Sequence, residues 1–334
     1  MRVLAAVDKF RGTATAHEAT RAIADACWTT GHECVELPLA DGGEGTLAVL
    51  GGPNRTLQVE GPLGHPVEAP WRLHRGTAII EMALASGIQL IGGAKNNDPL
   101  AASTIGTGQL IDAALNLGAE RIIVCLGGSA TTDGGLGAVQ AISTPTRLKR
   151  IEFLVACDVE TLFLDAADVF APQKGATAAQ TKFLAVRLAG TAARYRDRFG
   201  VDVTRVEGGG AAGGLAGGLF ALGAELVPGF ALVADELGLH QAVTNCDVVV
   251  TGEGRLDESS FSGKVVGSVA ALARKHHKPV LAICGEIASS AGDQAKKFGI
   301  TAVSLRQMFG DDTITFTTRC MREAAEQLLS RWSS

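Results

Sequence analysis

The chain has 334 residues, 46% hydrophobic and 19% charged, which suits one large or two ordinary globular domains and argues against a disordered chain. A net charge of −5, a single Tyr and no basic cluster interleaved with aromatics argue against a nucleic-acid partner. Seven cysteines (Cys27, Cys34, Cys125, Cys157, Cys246, Cys284, Cys320) are scattered singly with no C-x-x-C pair, which reads as buried free thiols in a reducing compartment. The apolar run Val3 to Val7 is stopped by Asp8-Lys9, too short for a signal peptide or a membrane span. A cytoplasmic protein without a membrane partner is expected.

Val3 to Val7 reads as a buried strand, followed by Asp8-Lys9-Phe10-Arg11-Gly12-Thr13 and a helix capped by Thr15 and Glu18 that runs to about Thr30. Cys34 to Leu39 is a second strand, ending in Ala40-Asp41-Gly42-Gly43-Glu44-Gly45-Thr46. Two carboxylates and a hydroxyl on a glycine-rich backbone suit a surface turn, but also a ligand loop at the carboxyl end of an α/β strand. From Gly51 the texture becomes antiparallel, with alternating segments at 55–60, 67–73 and 77–81 broken by Gly-Pro and Gly-His-Pro turns, and a second domain is expected to begin there.

Gln109 to Leu117 reads as a helix, and Arg121 to Leu126 as a buried strand ending in Gly127-Gly128-Ser129-Ala130-Thr131-Thr132-Asp133-Gly134-Gly135. Glycines, hydroxyls and one acid recur here, and such a loop can cradle phosphate. A further strand, Phe153 to Asp158, ends in an acid; Lys174 sits on a constrained turn; Gln180 to Arg198 is an amphipathic helix.

Gly208, Gly210 and Gly213 form G-x-G-x-x-G, which invites a dinucleotide reading, a close-packed helix or a glycine-rich anion loop; the last is expected. Cys246 to Thr251 returns to strand grammar and ends in Glu253, Arg255 and Asp257, with Lys264 before the next helix. Strands at Lys278 to Gly285 and Ile300 to Leu305 and a closing helix from about Thr317 to Trp332 complete the chain.

Carboxylates among glycines thus recur at strand ends (Asp8, Asp41 with Glu44, Asp133, Asp158, Glu253 with Asp257), accompanied by Lys9, Arg11, Lys174, Arg255 and Lys264. Neighbouring carboxylates repel by about 4 kcal/mol at roughly 4 Å and an effective dielectric near 20. A divalent cation relieves that repulsion, and oxygen-only ligands favour Mg2+. Together with anion loops and lysines, this points to ATP–Mg2+-dependent phosphorylation of a small polar alcohol. The alternatives are an NAD(P)-dependent oxidoreductase built on the Gly208–Gly213 loop and a non-catalytic protein that binds small hydroxy acids.

The blocks DKFRGT at 8–13, ADGGEGT at 40–46, IEMALASG at 80–87, GGSATTDGG at 127–135, VACDV at 155–159, PQKGA at 172–176, GGGAAGG at 208–214 and TGEGRLDESSFSGK at 251–264 resemble, in order and nearly end to end, the bacterial glycerate kinases of type 1. The resemblance implies conversion of D-glycerate and ATP to 2-phosphoglycerate and ADP by in-line transfer in an interdomain cleft. It also implies a flavodoxin-like parallel-sheet α/β domain made from both chain ends (1–50 and 240–334) with an inserted mixed α/β domain (51–239).

Carried onto this sequence, the catalytic set is Asp8, Lys9, Asp257 and Lys264, with Asp8 the first candidate to accept the hydroxyl proton. Arg11, Glu44, Glu81 and Arg255 fall to the substrate; Gly128, Ser129, Asp133, Lys174, Gly208 and Gly210 to the nucleotide; Asp41 and Glu253 to the metal. A homodimer is compatible with the sequence. Arg11 replaces a common Lys and Thr132 a common Asn; the segment after Gln140 is shorter than in relatives; and Glu160-Thr161-Leu162-Phe163-Leu164 follows VACDV in place of the usual Asn-Pro-Leu.

Overall fold

The computed structural model describes residues 1–332. Its strands are β1 (Arg2–Val7), β2 (Glu33–Glu36), β3 (Arg55–Glu60), β4 (Pro66–His74), β5 (Thr77–Glu81), β6 (Arg121–Cys125), β7 (Glu152–Ala156), β8 (Glu225–Val227), β9 (Val248–Leu256), β10 (Val280–Ile287) and β11 (Ile300–Ser304). The chain divides into two compact units, residues 1–41 with the chain from Phe230 onward, and residues 42–229. One boundary therefore falls inside ADGGEGT, between Asp41 and Gly42, and the other between Gly229 and Phe230.

In the first unit the strands lie in the order β11-β10-β9-β1-β2, all parallel. Counted along this unit that is the 2-1-3-4-5 order of flavodoxin-like sheets, with the switch point between β1 and β9. Strand alternation sends Val3, Ala5 and Val7 to one face and Leu4 and Ala6 to the other, and both faces are covered. On the first face Ile23 and Cys27 of the helix Ala16–Thr29 pack with Met321 and Ala325 of the helix Thr317–Trp332. On the second lie Val266, Val269 and Ala270 of the helix Val265–Lys275. The helix Ala16–Thr29 starts where the sequence says it should: Thr15 accepts from the Glu18 amide, and Glu18 accepts from the Thr15 amide.

The second unit holds a six-stranded sheet in chain order, β3 to β8. Its first three strands are antiparallel and the rest parallel. One apolar core joins Ile80, Ile122, Val124 and Val155 of the sheet to Leu110 and Ile111 of the helix Ile105–Asn116, Leu188 of the helix Ala178–Phe199 and Leu215 of the helix Ala211–Ala221. The architecture is mixed α/β with one wholly parallel and one mixed sheet. Among the described residues no helix is long and apolar enough to cross a membrane.

Candidate active site

Register alone brings the first pair of acids together. Val7 on β1 pairs with Gly252 on β9, so Asp8, the first residue past β1, comes beside Glu253, which is still within β9; the Asp8 amide donates to the Gly252 carbonyl at 3.0 Å. Gly252 is required by this packing, because a Cβ there would sit 2.1 Å from the Ile283 carbonyl oxygen of β10. Ligands in open α/β sheets bind outside the carboxyl ends of strands at the switch point, and that is where Asp8 and Glu253 stand. Asp41 follows the ladder that carries β2 onward, in which the Leu37 and Leu39 amides donate to Ala5 and Val7.

Burial and then the neighbouring charge of Asp41 raise the Asp8 carboxyl to about 6, against the opposing pull of Lys9 and Lys264. Burial, with a smaller push from the charge of Asp8 and against a hydrogen bond with Ser260, raises Glu253 to about 7. Glu253 Oε1 is buried with no hydrogen-bond partner. A carboxylate oxygen left without a donor in a cluster of acids is the feature a cation would satisfy.

Asp257 behaves differently. Its Oδ1 accepts from the Ser259 amide at 2.9 Å and hydroxyl at 2.6 Å, and these bonds, the hydroxyl's first, lower its pKa. Ser259 Oγ in turn accepts from Lys264 Nζ at 2.7 Å, so Asp257 fixes Lys264 through one hydroxyl. Lys9 follows Asp8 directly, with its amide donating to Asp8 Oδ1 at 2.7 Å, and Arg11 is exposed on the tight turn in which the Phe10 amide donates to Ala14. Arg255 is exposed on β9.

The other sequence-predicted residues lie in the second unit, and several are committed to its framework. Glu81 is buried at 4% exposure and accepts from the Gly45 amide at 2.9 Å and the Leu47 amide at 3.2 Å, so it anchors the ADGGEGT loop. Glu44 is exposed, and Asp158 accepts from the Gly229 amide at 2.7 Å. Asp133 takes four donors: the Thr104 amide and hydroxyl, and the amides of Gly135 and Gly137.

Lys174 is buried, with Nζ donating to Ser129 Oγ at 2.7 Å and to the Thr131 carbonyl at 2.6 Å; burial pushes it down to about 7 against the pull of Asp133. Gly128 is exposed and Ser129 buried. Gly208 and Gly210 are buried, and a Cβ on Gly210 would lie 2.4 Å from the Leu162 carbonyl oxygen. The glycine run packs backbone against backbone, which corrects the expectation of an open anion loop there. No strand precedes it, only the short turn Val203–Arg205, so the dinucleotide reading lacks its strand–turn–helix frame.

A family model for the glycerate kinase family matches residues 3–146 and 143–333. The chain belongs to the glycerate kinase family. It is 38% identical to the glycerate 2-kinase of Escherichia coli, over 91% of this chain and 90% of that protein. It is also 38% identical to a glycerate kinase of Halalkalibacterium halodurans, over 85% of each. A crystal structure from Salmonella typhimurium, of a protein assigned as glycerate kinase 2, superposes with TM-score 0.83 at 34% identity, covering 100% of this chain and 98% of that one. This glycerate kinase is therefore a phosphotransferase, and the two matched segments overlap at residues 143–146. Sequence reasoning missed Ser259 and Ser260, although Asp257-Glu258-Ser259-Ser260 has the spacing of an Asx turn.

Proposed function

We propose that this glycerate kinase transfers the γ-phosphoryl group of ATP to the 2-hydroxyl of D-glycerate, with Asp8 taking the hydroxyl proton. The glycerate oxygen bonds to phosphorus, the bond to the β-phosphate oxygen breaks, and ADP leaves. The supporting observation is the register that sets Asp8 against Glu253 at the β1/β9 switch point with both carboxyls raised. A base near 6 is mostly ionised at neutral pH yet basic enough to accept a proton in the transition state. Asp257, held low by Ser259, is the weaker base; its role is to position Lys264. Lys9, Arg11, Lys264 and Arg255 supply positive charge for the glycerate carboxylate and the transferring phosphoryl group.

The donor set fits Mg2+ arriving with the nucleotide. Among the described residues no group of three or more His, Cys, Asp or Glu is arranged to hold a metal. Magnesium commonly takes only one or two carboxylates, completing its shell with water and phosphate oxygens. Asp41 and the unpartnered Oε1 of Glu253 would hold it. Bound there, it would neutralise charge on the phosphate oxygens. Transfer to the 2-hydroxyl follows the activity named for the Escherichia coli relative.

The test is ADP release coupled to a spectrophotometric readout, with D-glycerate, ATP and Mg2+ each omitted in turn. Turnover requiring all three is expected; no magnesium-dependent turnover with D-glycerate removes the proposal. Phosphorus NMR of the product distinguishes the 2-phosphate from the 3-phosphate.

A further inference from the structure

All the cysteines are free; Cys27, Cys125, Cys246, Cys284 and Cys320 are buried, whereas Cys34 and Cys157 are part-exposed. Cys34 is the second residue of β2, the edge strand of the parallel sheet. Its partner in the ladder is Val3 of β1, and paired residues of adjacent strands send their side chains to the same face. That face is the one covered by the helix Ala16–Thr29, whose Cys27 is fully buried in the same apolar cluster that Cys34 packs against. The Cys27 carbonyl accepts from the His32 amide at 2.8 Å and from the Thr30 hydroxyl at 3.1 Å, so the chain folds straight back from the helix into β2. Two cysteines separated in sequence only by the turn Trp28 to Glu33 thus meet between helix and sheet, and their thiols share a hydrogen bond.

The two thiols are not equivalent. Cys27 lies in the last turn of its helix, where the unpaired carbonyls carry partial negative charge. The hydrogen bond with Cys34, and after it burial, holds the Cys27 thiol well above its usual range, so Cys27 keeps its proton and is the donor. Cys34 is the acceptor: the bond from Cys27 lowers its thiol, with Arg21 adding to this against burial and the charge of Glu36. An ion pair with Glu36 at 3.2 Å holds the Arg21 guanidinium over this strand. Cys34 therefore combines thiolate character with access, the two properties that select a thiol for oxidation. Cys157 has the access alone: burial raises its thiol, which donates to the carbonyls of Val159 at 3.4 Å and Gly208 at 3.7 Å instead of to a second thiol.

We propose that Cys34 and Cys27 form a hydroperoxide-reactive dithiol, in which Cys34 is oxidised first and Cys27 resolves it to a disulfide. The Cys34 sulfur attacks one peroxide oxygen, the O–O bond breaks, and the other oxygen leaves as water or an alcohol carrying the Cys34 proton. The Cys27 sulfur then attacks the sulfenic sulfur of Cys34, the S–O bond breaks, and hydroxide leaves as water with the Cys27 proton. The pair of thiols loses two electrons and the hydroperoxide gains them. The new bond ties the last turn of the helix Ala16–Thr29 to the edge strand.

The test is made on the folded full-length protein and needs no kinase activity. After treatment with hydrogen peroxide the protein is unfolded, blocked with iodoacetamide and digested with trypsin. Cys27 and Cys34 stay on one peptide, because no Lys or Arg lies between Arg21 and Arg55. That peptide is expected to lack two hydrogens and carry no alkyl group, and to carry two when dithiothreitol precedes the block; Cys157 should be alkylated throughout. Cys27→Ser should stop at a sulfenic acid on Cys34 that dimedone captures, and Cys34→Ser should leave Cys27 reduced. A wild-type peptide still alkylated twice at peroxide levels that oxidise N-acetylcysteine would overturn the proposal, as would Cys157 oxidising as fast as Cys34. Dimedone capture at Cys34 in the wild type with no disulfide formed would remove Cys27 as the resolving thiol and overturn it equally.

Discussion

Replacing Glu253 by Gln should stabilise the enzyme at pH 8 while abolishing most of its activity. The Glu253 carboxyl moves from 4.5 to about 7, chiefly through burial, and a shift of that size corresponds to about 3 kcal/mol against the ionised form. Glu253 keeps some contact with solvent, so about 2 kcal/mol is the reasonable expectation. The sign follows from proton binding. Between 4.5 and about 7 the folded protein holds a proton that the unfolded chain has released, so this group's contribution to stability falls as pH rises through that window. Above it the full penalty is present; below it none remains. Urea unfolding of wild type and Glu253→Gln at pH 8 and pH 5, without magnesium or nucleotide, should show a gain at the higher pH that largely disappears at the lower. Equal stability at pH 8, or a gain independent of pH, would refute the claim that an ionised Glu253 is a buried, under-partnered charge.

Three further outcomes follow from other parts of the molecule. Gly213→Ala should cost about 3 kcal/mol or more and raise KM for ATP, because Gly213 has φ +70° and a Cβ there would lie 2.0 Å from the Thr131 carbonyl oxygen; unfolding and kinetics on one preparation check both. Thr15→Ala should lower stability by about 1 kcal/mol with kcat unaltered, since it removes only the cap of the helix Ala16–Thr29; an altered kcat contradicts this. Lys174 is shifted from 10.5 to about 7, so the folded state holds fewer protons than the unfolded chain across that interval and this group makes stability rise with pH there. The rise, on the order of 3 kcal/mol, should be missing in Lys174→Met when unfolding is followed from pH 7 to 10.

Elements governed by local chemistry could be read from the residues. β1, the Thr15–Glu18 capping box and the closing helix Thr317–Trp332 each carry their signal within a few positions. The gathering of Asp8 and Glu253 was foreseen only as chemistry: like charges at strand ends imply a shared cation, but their adjacency depends on pairing between positions far apart in the chain. The glycine run at 208–218 misled because close backbone packing and an anion cradle both call for glycine. Only the Leu162 and Thr131 carbonyls lying where Cβ atoms would be distinguish the two.

Lys174 and Glu81 show the same limit for charge. On a turn or a strand end each reads as a ligand contact, yet each is buried against main-chain groups tens of residues away. That long-range anchoring also explains why the compact units part at Asp41–Gly42 and not near residue 50: the Gly45 and Leu47 amides are held by Glu81 of the second unit. β8, three residues long, is too short to leave a period in the sequence.

The most direct measurement of the central claim is the steady-state kinetics of Asp8→Asn with D-glycerate, ATP and magnesium. Asn keeps the size of the side chain and cannot take the hydroxyl proton, so kcat should fall by about a hundredfold or more, with KM for ATP little changed. Wild-type kcat in that variant, with phosphoglycerate as product, would contradict the assignment of Asp8 as the base.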